Sequence, residues 1–306
     1  MDHAEVVSQN RVALRATIDF AESQLGTLAW EPSARSEAAV ELSNPQTRND
    51  GSPWGESPPR TAYAAANLMM LGVVDDLKSL ERLLVDPVPV IGPTVLARSA
   101  IEISSGAWWL MEPGIGERPS VCRELVLSLT SARRANQVAD EYANEYRKGG
   151  DPIPIDVAAL IADARQQELT VLQRITHLAI AAPTAGFSPE IGGEKADNAT
   201  DATAEMFKAL QPTGLPTNVP TTVFYRTYSA VTHGQFYGLT NFVTVIARPD
   251  GTPFWQWGPN FEILDSTIQI VIGAFRETYQ RIATVMGWDQ KDFQSWEAEV
   301  DAIYNS

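Results

Sequence analysis

An all-α fold is predicted by three features of the sequence. Long stretches rich in Ala, Leu and Met lack proline and repeat their apolar residues at helical spacing. Clusters of Pro and Gly stand between these stretches and interrupt them. Only one short region, residues 242–257, carries a clear strand-and-turn signal. The expectation is a helical bundle of about seven to nine helices with one small β-hairpin near residues 242–257.

The elements follow in order. Residues 3–26 read as a helix carrying Val6, Val12, Leu14, Ile18, Phe20 and Leu25. From Trp30 to Pro59 the chain is dominated by Pro, Ser, Asn and Gly, which predicts a long loop over 30–59. Residues 60–85 return to helix, and Pro87, Pro89 and Pro93 break it. A short, mostly apolar helix is expected over 94–111, ended by Glu112-Pro113-Gly114. A long polar helix over 119–148 stops at Gly149-Gly150, and another covers about 155–180. Residues 182–217 are weakly patterned apart from a short helix at 201–210. A helix over 219–233 starts beside Pro220, a residue suited to a first helical turn.

Residues 242–247 and 254–257 then flank a turn containing Asp250-Gly251, a favoured hairpin pair. Trp255 and Trp257 alternate with Gln256, so both point to one face, which is expected to cover the bundle. Asn260 is placed to cap a final long helix to Met286, and a last helix sets Phe293, Trp296, Val300 and Ile303 on one side. No internal repeat is present. A single domain over 1–306 is expected, with a bundle core at 60–285 and a C-terminal helix at 289–306.

Charge and composition narrow the function classes. Hydrophobic residues make up 44% and charged residues 20% of 306 positions, which is ordinary globular usage. The 23 basic and 38 acidic residues leave a formal charge of -15. A field of that sign repels nucleic acid and anionic membranes, so neither DNA nor a membrane is expected as a partner, and the charge is unfavourable for binding RNA as well. No apolar run approaches the roughly 20 residues of a membrane span. The start of the chain lacks the basic and apolar regions of a signal peptide. Cys122 is the single cysteine, so no internal disulfide forms and a cytoplasmic location is expected. Cys122 is expected to be inert.

Common catalytic templates are missing. Neither His177 nor His233 has Glu three residues before it, as a ferritin-like di-iron site needs. His-Glu-x-x-His, paired cysteines, a P-loop, Gly-x-Gly-x-x-Gly and Gly-x-Ser-x-Gly are all absent from the sequence. No metal or cofactor is expected.

One segment does combine groups able to do chemistry. Arg226 and His233 are seven residues apart, which returns a helix to nearly the same face. Ser229 lies between them, with Tyr225 adjacent. A planar cation, a hydroxyl and a titratable imidazole thus share one helical edge. A second candidate is Arg98 with Glu102, an i,i+4 pair in an otherwise apolar helix. Charges there cost free energy unless they are paired or used. Asp75 and Asp76 are further candidates to face the arginines. The plain structural alternative is that these groups tie helices together.

The stretch Tyr225-Arg226-x-x-Ser229-x-x-x-His233, with Arg98-x-x-x-Glu102 upstream, resembles the HEPN superfamily (higher eukaryote and prokaryote nucleotide-binding). The signature of that family is Arg, four to six residues, then His. The resemblance touches residues 60–110 and 219–285. It implies a helical bundle that pairs as a homodimer by its motif helices and, in active members, a metal-independent endoribonuclease of stress or phage defence. Arg226 would then bind the scissile phosphate, and His233 would move the proton of the 2′-hydroxyl or leaving oxygen. Ser229, Tyr225, Arg98 and Glu102 would support them. Thr227 departs from the Asn, Asp or His frequent after that arginine in active members. Two alternatives remain at this point. One is a non-catalytic scaffold or regulatory protein with a protein partner. The other is a small-molecule binder lined by Trp108, Trp109, Tyr225, Tyr228 and the Arg98–Glu102 pair.

Overall fold

The computed structural model describes residues 2–25, 30–43, 46, 48, 51–150, 152–196, 199–210, 221–248 and 252–305, apart from the side chains of 199–201 and 221–225. The described residues are 72% helical and form eleven α-helices and two small antiparallel sheets of two strands each. The all-α class with a small hairpin is therefore what the chain adopts. Among the described residues, no helix is long and apolar enough to cross a membrane.

Contacts group the chain into two compact units. The first comprises residues 1–36, 64–112 and 199–306; the second comprises 37–63 and 113–198.

In the first unit lie α1 (His3–Leu25), α3 (Ser57–Leu83) from Ala64 onward, α4 (Gly92–Leu110) and α7 (Ala199–Leu210). They are followed by α8 (Thr221–Thr232), α9 (Phe236–Leu239), a 3-10 turn (Thr240–Phe242), the hairpin of β3 (Val243–Ala247) and β4 (Pro253–Trp257), α10 (Phe261–Met286) and α11 (Lys291–Asn305). Helix α10 is central. Fifteen of its residues are buried, from Leu264 to Met286, and α4, α1 and α7 pack on it. Asn260 caps it as expected: its side chain accepts from the backbone N–H of Ile263 at 3.1 Å. The core is strongly aromatic. Phe20 stacks on Trp296 at 5.0 Å and meets Tyr279 edge-on at 4.9 Å, while Phe293 stacks on Tyr279 at 5.4 Å. Phe293, Trp296 and Val300 of α11 are buried, as their helical spacing predicts.

The second unit holds α2 (Glu37–Ser43), the first turns of α3, α5 (Glu117–Gly149), α6 (Ile155–His177) and the β1–β2 pair (Glu190–Ile191 with Glu194–Lys195). The α2 helix lies inside the segment expected to be loop. Its sequence, EAAVELS, is helix-prone but too short to stand out between proline-rich flanks. Helices α5 and α6 run antiparallel. Arg174 pairs with Glu124, Asn136 bonds Glu168 and Arg165 pairs with Asp140, so residue numbers rise along one helix as they fall along the other. Small residues (Ala139, Ala143 and Ala164) together with Ile161 fill the seam. Gly150, left-handed at φ +74°, closes α5.

The hairpin pairs β3 (Val243–Ala247) with β4 (Pro253–Trp257), and Val245 stands opposite Trp255. Residues 249–251, including the Asp250-Gly251 of the expected turn, lie outside the described residues. So does Pro220. The tryptophan face differs from expectation: Trp255 stands in water, as does most of both strands, while Trp257 is half-exposed with its ring 6.0 Å from that of the buried Phe242.

Candidate functional site

The C-terminus of α8 sets His233. Gly234 takes a left-handed φ of +63°, open to glycine at little cost. Its N–H bonds the Val231 carbonyl at 3.0 Å, and the Gln235 N–H bonds Ala230 at 2.8 Å. This double closure is a Schellman motif, with His233 as the C-cap. The chain then folds straight back, and Gly238 of α9 lies against α8. A Cβ at Gly238 would sit 2.7 Å from both the Ala230 Cβ and the Val231 backbone nitrogen, so only glycine permits that approach. The Tyr237 hydroxyl donates to the Arg226 carbonyl at 3.4 Å.

This local geometry leaves Arg226 and His233 exposed and Ser229 half-buried on the α8 edge. The side chain of Tyr225 lies outside the described residues. From α4, the Arg98 Nη1 reaches His233 Nε2 at 3.3 Å. Arg98 Nε donates to Glu102 Oε1 at 2.8 Å; the two side chains are 16% and 31% exposed. The structure thus brings together His233, Arg98 and Glu102 from two helices. A guanidinium can only donate, so Nε2 is the accepting nitrogen in this contact. Beside them, Asp76 of α3 interacts with Ser99, and burial raises its pKa. Asp75 is exposed.

Other candidates are committed to packing. Trp108 is buried, with the Arg281 guanidinium 3.3 Å from its ring centroid and Glu277 accepting from its indole N–H at 3.3 Å. Tyr228 is buried and shares a 2.9 Å hydrogen bond with Thr267. In the second unit, Arg123 pairs with Glu194 at 2.8 Å, Arg133 with Glu168 at 3.3 Å, and Arg118 lies over Trp54. Burial pushes the Cys122 thiol up to about 11, which holds it as an unreactive thiol at neutral pH. Among the described residues, no group of three or more His, Cys, Asp or Glu side chains is arranged to hold a metal ion.

A cluster the sequence reading passed over lies in the second unit. Tyr63 donates to the buried Glu41, whose pKa is raised by burial, and Glu117 stands near. Glu117 is 3% exposed, and burial pushes its pKa up to about 7 even though the Gln46 N–H bonds it at 2.7 Å. Its other oxygen is buried with no hydrogen-bond partner among the described residues. Glu117 opens α5 beside Gly116, a visible signal, but nothing in the sequence pairs it with Glu41 across 76 positions.

Comparisons with protein-family models, with curated proteins and with solved structures found no match.

Proposed function

We propose that this chain is a HEPN-like, metal-independent endoribonuclease whose reacting groups are His233 and Arg226, with Arg98 positioned by Glu102. The observation that carries this reading is the 3.3 Å approach of Arg98 to the accepting nitrogen of an exposed histidine. The same helical edge carries a second exposed arginine. An incoming phosphodiester would take the N–H groups of Arg98 and Arg226, since arginine matches phosphate geometry. Arg98 would then leave Nε2 for the substrate. His233 Nε2 would accept the 2′-hydroxyl proton as that oxygen attacks phosphorus. The P–O5′ bond breaks, and a proton is delivered to the leaving oxygen, giving a 2′,3′-cyclic phosphate and a 5′-hydroxyl. The arginines stabilise charge on the phosphorane.

The charge of -15 is unevenly spread, which favours this site over the rest of the surface. Residues 221–260 contain two arginines, Arg226 and Arg248, against one aspartate, Asp250. The same reading has the chain working in the cytoplasm as a homodimer, in stress or defence. A small-molecule pocket is less supported, because Trp108 and Tyr228 are packed in the core.

The test is cleavage of labelled single-stranded RNA and tRNA in EDTA by the native protein, His233→Ala and Arg226→Ala. Cleavage by the native chain, lost in both variants at unchanged melting temperature, supports the reading. No cleavage by the native chain, with both variants melting lower, makes the cluster a structural tie and removes the nuclease.

A further inference from the structure

An open groove of about 1130 Å³ is lined by α1, the end of α3 and the start of α10, all within the first unit. Its walls are more apolar than a solvated face requires. Val7 and Val12 come from α1, Leu84, Val85 and Val88 from the segment just after α3, and Phe261 from α10. Val12 is 51% exposed and Val85 50%. The His3 ring stacks on Phe261 at 4.2 Å, which adds an aromatic face. A concave site of this size with apolar and aromatic walls suits a small ligand.

The charges of the lining decide its sign. Arg11 is engaged by Glu81 at 2.7 Å, and Arg15 by Asp19 at 3.4 Å. Two carboxylates of the lining, Asp2 and Asp86, remain. Both are exposed, and neither side chain has a hydrogen bond or ion pair among the described residues. The last turn of α3 also lines the groove through Glu81, while Arg82 of that turn stays outside it. A helix C-terminus is the negative end of its dipole. The whole chain, at -15, adds a field that draws cations in. We propose that this groove binds a hydrophobic organic cation, an amine or quaternary ammonium carried on an apolar body. Asp2, Asp86 and the helix end attract the charged head. The valines and Leu84 take the apolar body, and Phe261 offers a ring to the cation. The inference stands apart from the nuclease reading, because neither Arg226 nor His233 lines the groove.

Calorimetric titration of the full chain with octyltrimethylammonium below its micellar range tests it, with octanoate as the charge-reversed probe. One cation should bind per chain, more weakly as salt rises, and octanoate should bind at least about tenfold more weakly. Asp2→Asn combined with Asp86→Asn should weaken cation binding roughly three- to tenfold, the loss of two partly solvated charge contacts. Val12→Lys puts a like charge and added bulk on an exposed wall and should, independently, weaken it further. Helical circular dichroism should be unchanged in both. Asp301→Asn, at an exposed carboxylate of α11 outside the groove, should bind as the native chain does, and so should His233→Ala. Octanoate binding as tightly as the cation overturns the proposal and makes the arginines an anion site. Cation binding that both groove variants leave unchanged also overturns it, as does no binding by the native chain. Cation binding without RNA cleavage would sink the nuclease alone.

Discussion

Each unit of this protein places a histidine at a helix C-terminus with an arginine against it. In the second unit Arg48 reaches His177, the last residue of α6, with Nη2 and Nε2 2.8 Å apart. In the first, Arg98 reaches His233, one residue past α8, at 3.3 Å. The surroundings of the two arginines differ. Arg48 also donates to the His177 carbonyl at 2.8 Å, to the Ser52 hydroxyl at 2.9 Å and to the Pro53 carbonyl at 3.2 Å. Its donors are spent on backbone and hydroxyl oxygens, which pins the segment before α3 to the end of α6. Arg98 is instead held by the carboxylate of Glu102 on its own helix, and Arg226 adds a second cation on the histidine's edge. The same residue pair can fasten a loop or present an acceptor to solvent, and the other partners of the arginine decide which.

The sharpest way to break the comparison is to remove each imidazole. His233→Ala should lower RNA cleavage by roughly 10²–10⁴-fold, the usual contribution of a positioned acid–base group. His177→Ala should leave cleavage within a few-fold of native, measured on the same labelled RNA under single-turnover conditions. Equal losses would mean that neither histidine is chemical and that the contacts matter only for folding.

Arg48→Ala should show the opposite signature. Removing it leaves the His177 and Pro53 carbonyls and the Ser52 hydroxyl without this donor; they are partly solvated, so a loss of about 1–2 kcal/mol is expected. Thermal unfolding should report that loss with no change in cleavage. If melting is unchanged, the pinning bonds are replaced by water, and the contrast between the two arginines weakens.

Much of this architecture is legible in the sequence because local signals agree. The proline and glycine breaks around 87–93 and 149–150 and the Asn260 cap fix helix ends within a few residues of those seen. The Arg226-to-His233 spacing is legible as one helical edge, and both residues are exposed. Three features are not legible, each for a physical reason. Short α2 owes its helix to packing of Ala38 and Leu42 rather than to propensity. The meeting of Arg98 with His233 spans 135 positions, and no local period encodes it. The tryptophan face of the hairpin was readable as one face by alternation, but alternation says nothing about what covers it.

The buried carboxylates of the second unit give a pH test that the exposed site should not share. The Glu117 pKa rises from its ordinary 4.5 to about 7 through burial, and Glu41 shifts the same way. Raised folded values mean that the folded state binds protons the unfolded state has released between those pH values. The stabilising contribution is therefore full below about pH 4.5 and lost as pH rises toward and through 7. Melting of the second unit should fall between pH 5 and pH 8, and Glu117→Gln should flatten that slope. A slope unchanged in the variant would assign the dependence to Glu41 or other groups.

The smallest expected effect is the most discriminating for the first unit. Glu102→Gln keeps an acceptor for Arg98 Nε but removes the negative charge. The pair is partly solvated, at 16% and 31% side-chain exposure, so its contribution to stability is about 0–1 kcal/mol and melting should hardly move. If Arg98 is fastened only for structure, cleavage should be equally indifferent. If Glu102 aims Arg98 at a phosphate, a looser guanidinium should weaken substrate capture, raising KM several-fold while kcat stays near native, because His233 is untouched. A fall in kcat with KM unchanged would instead place Arg98 in the charge-developing step, beside Arg226. Either kinetic change at constant melting temperature separates the Arg98–His233 contact from the loop-fastening contact of Arg48 and His177.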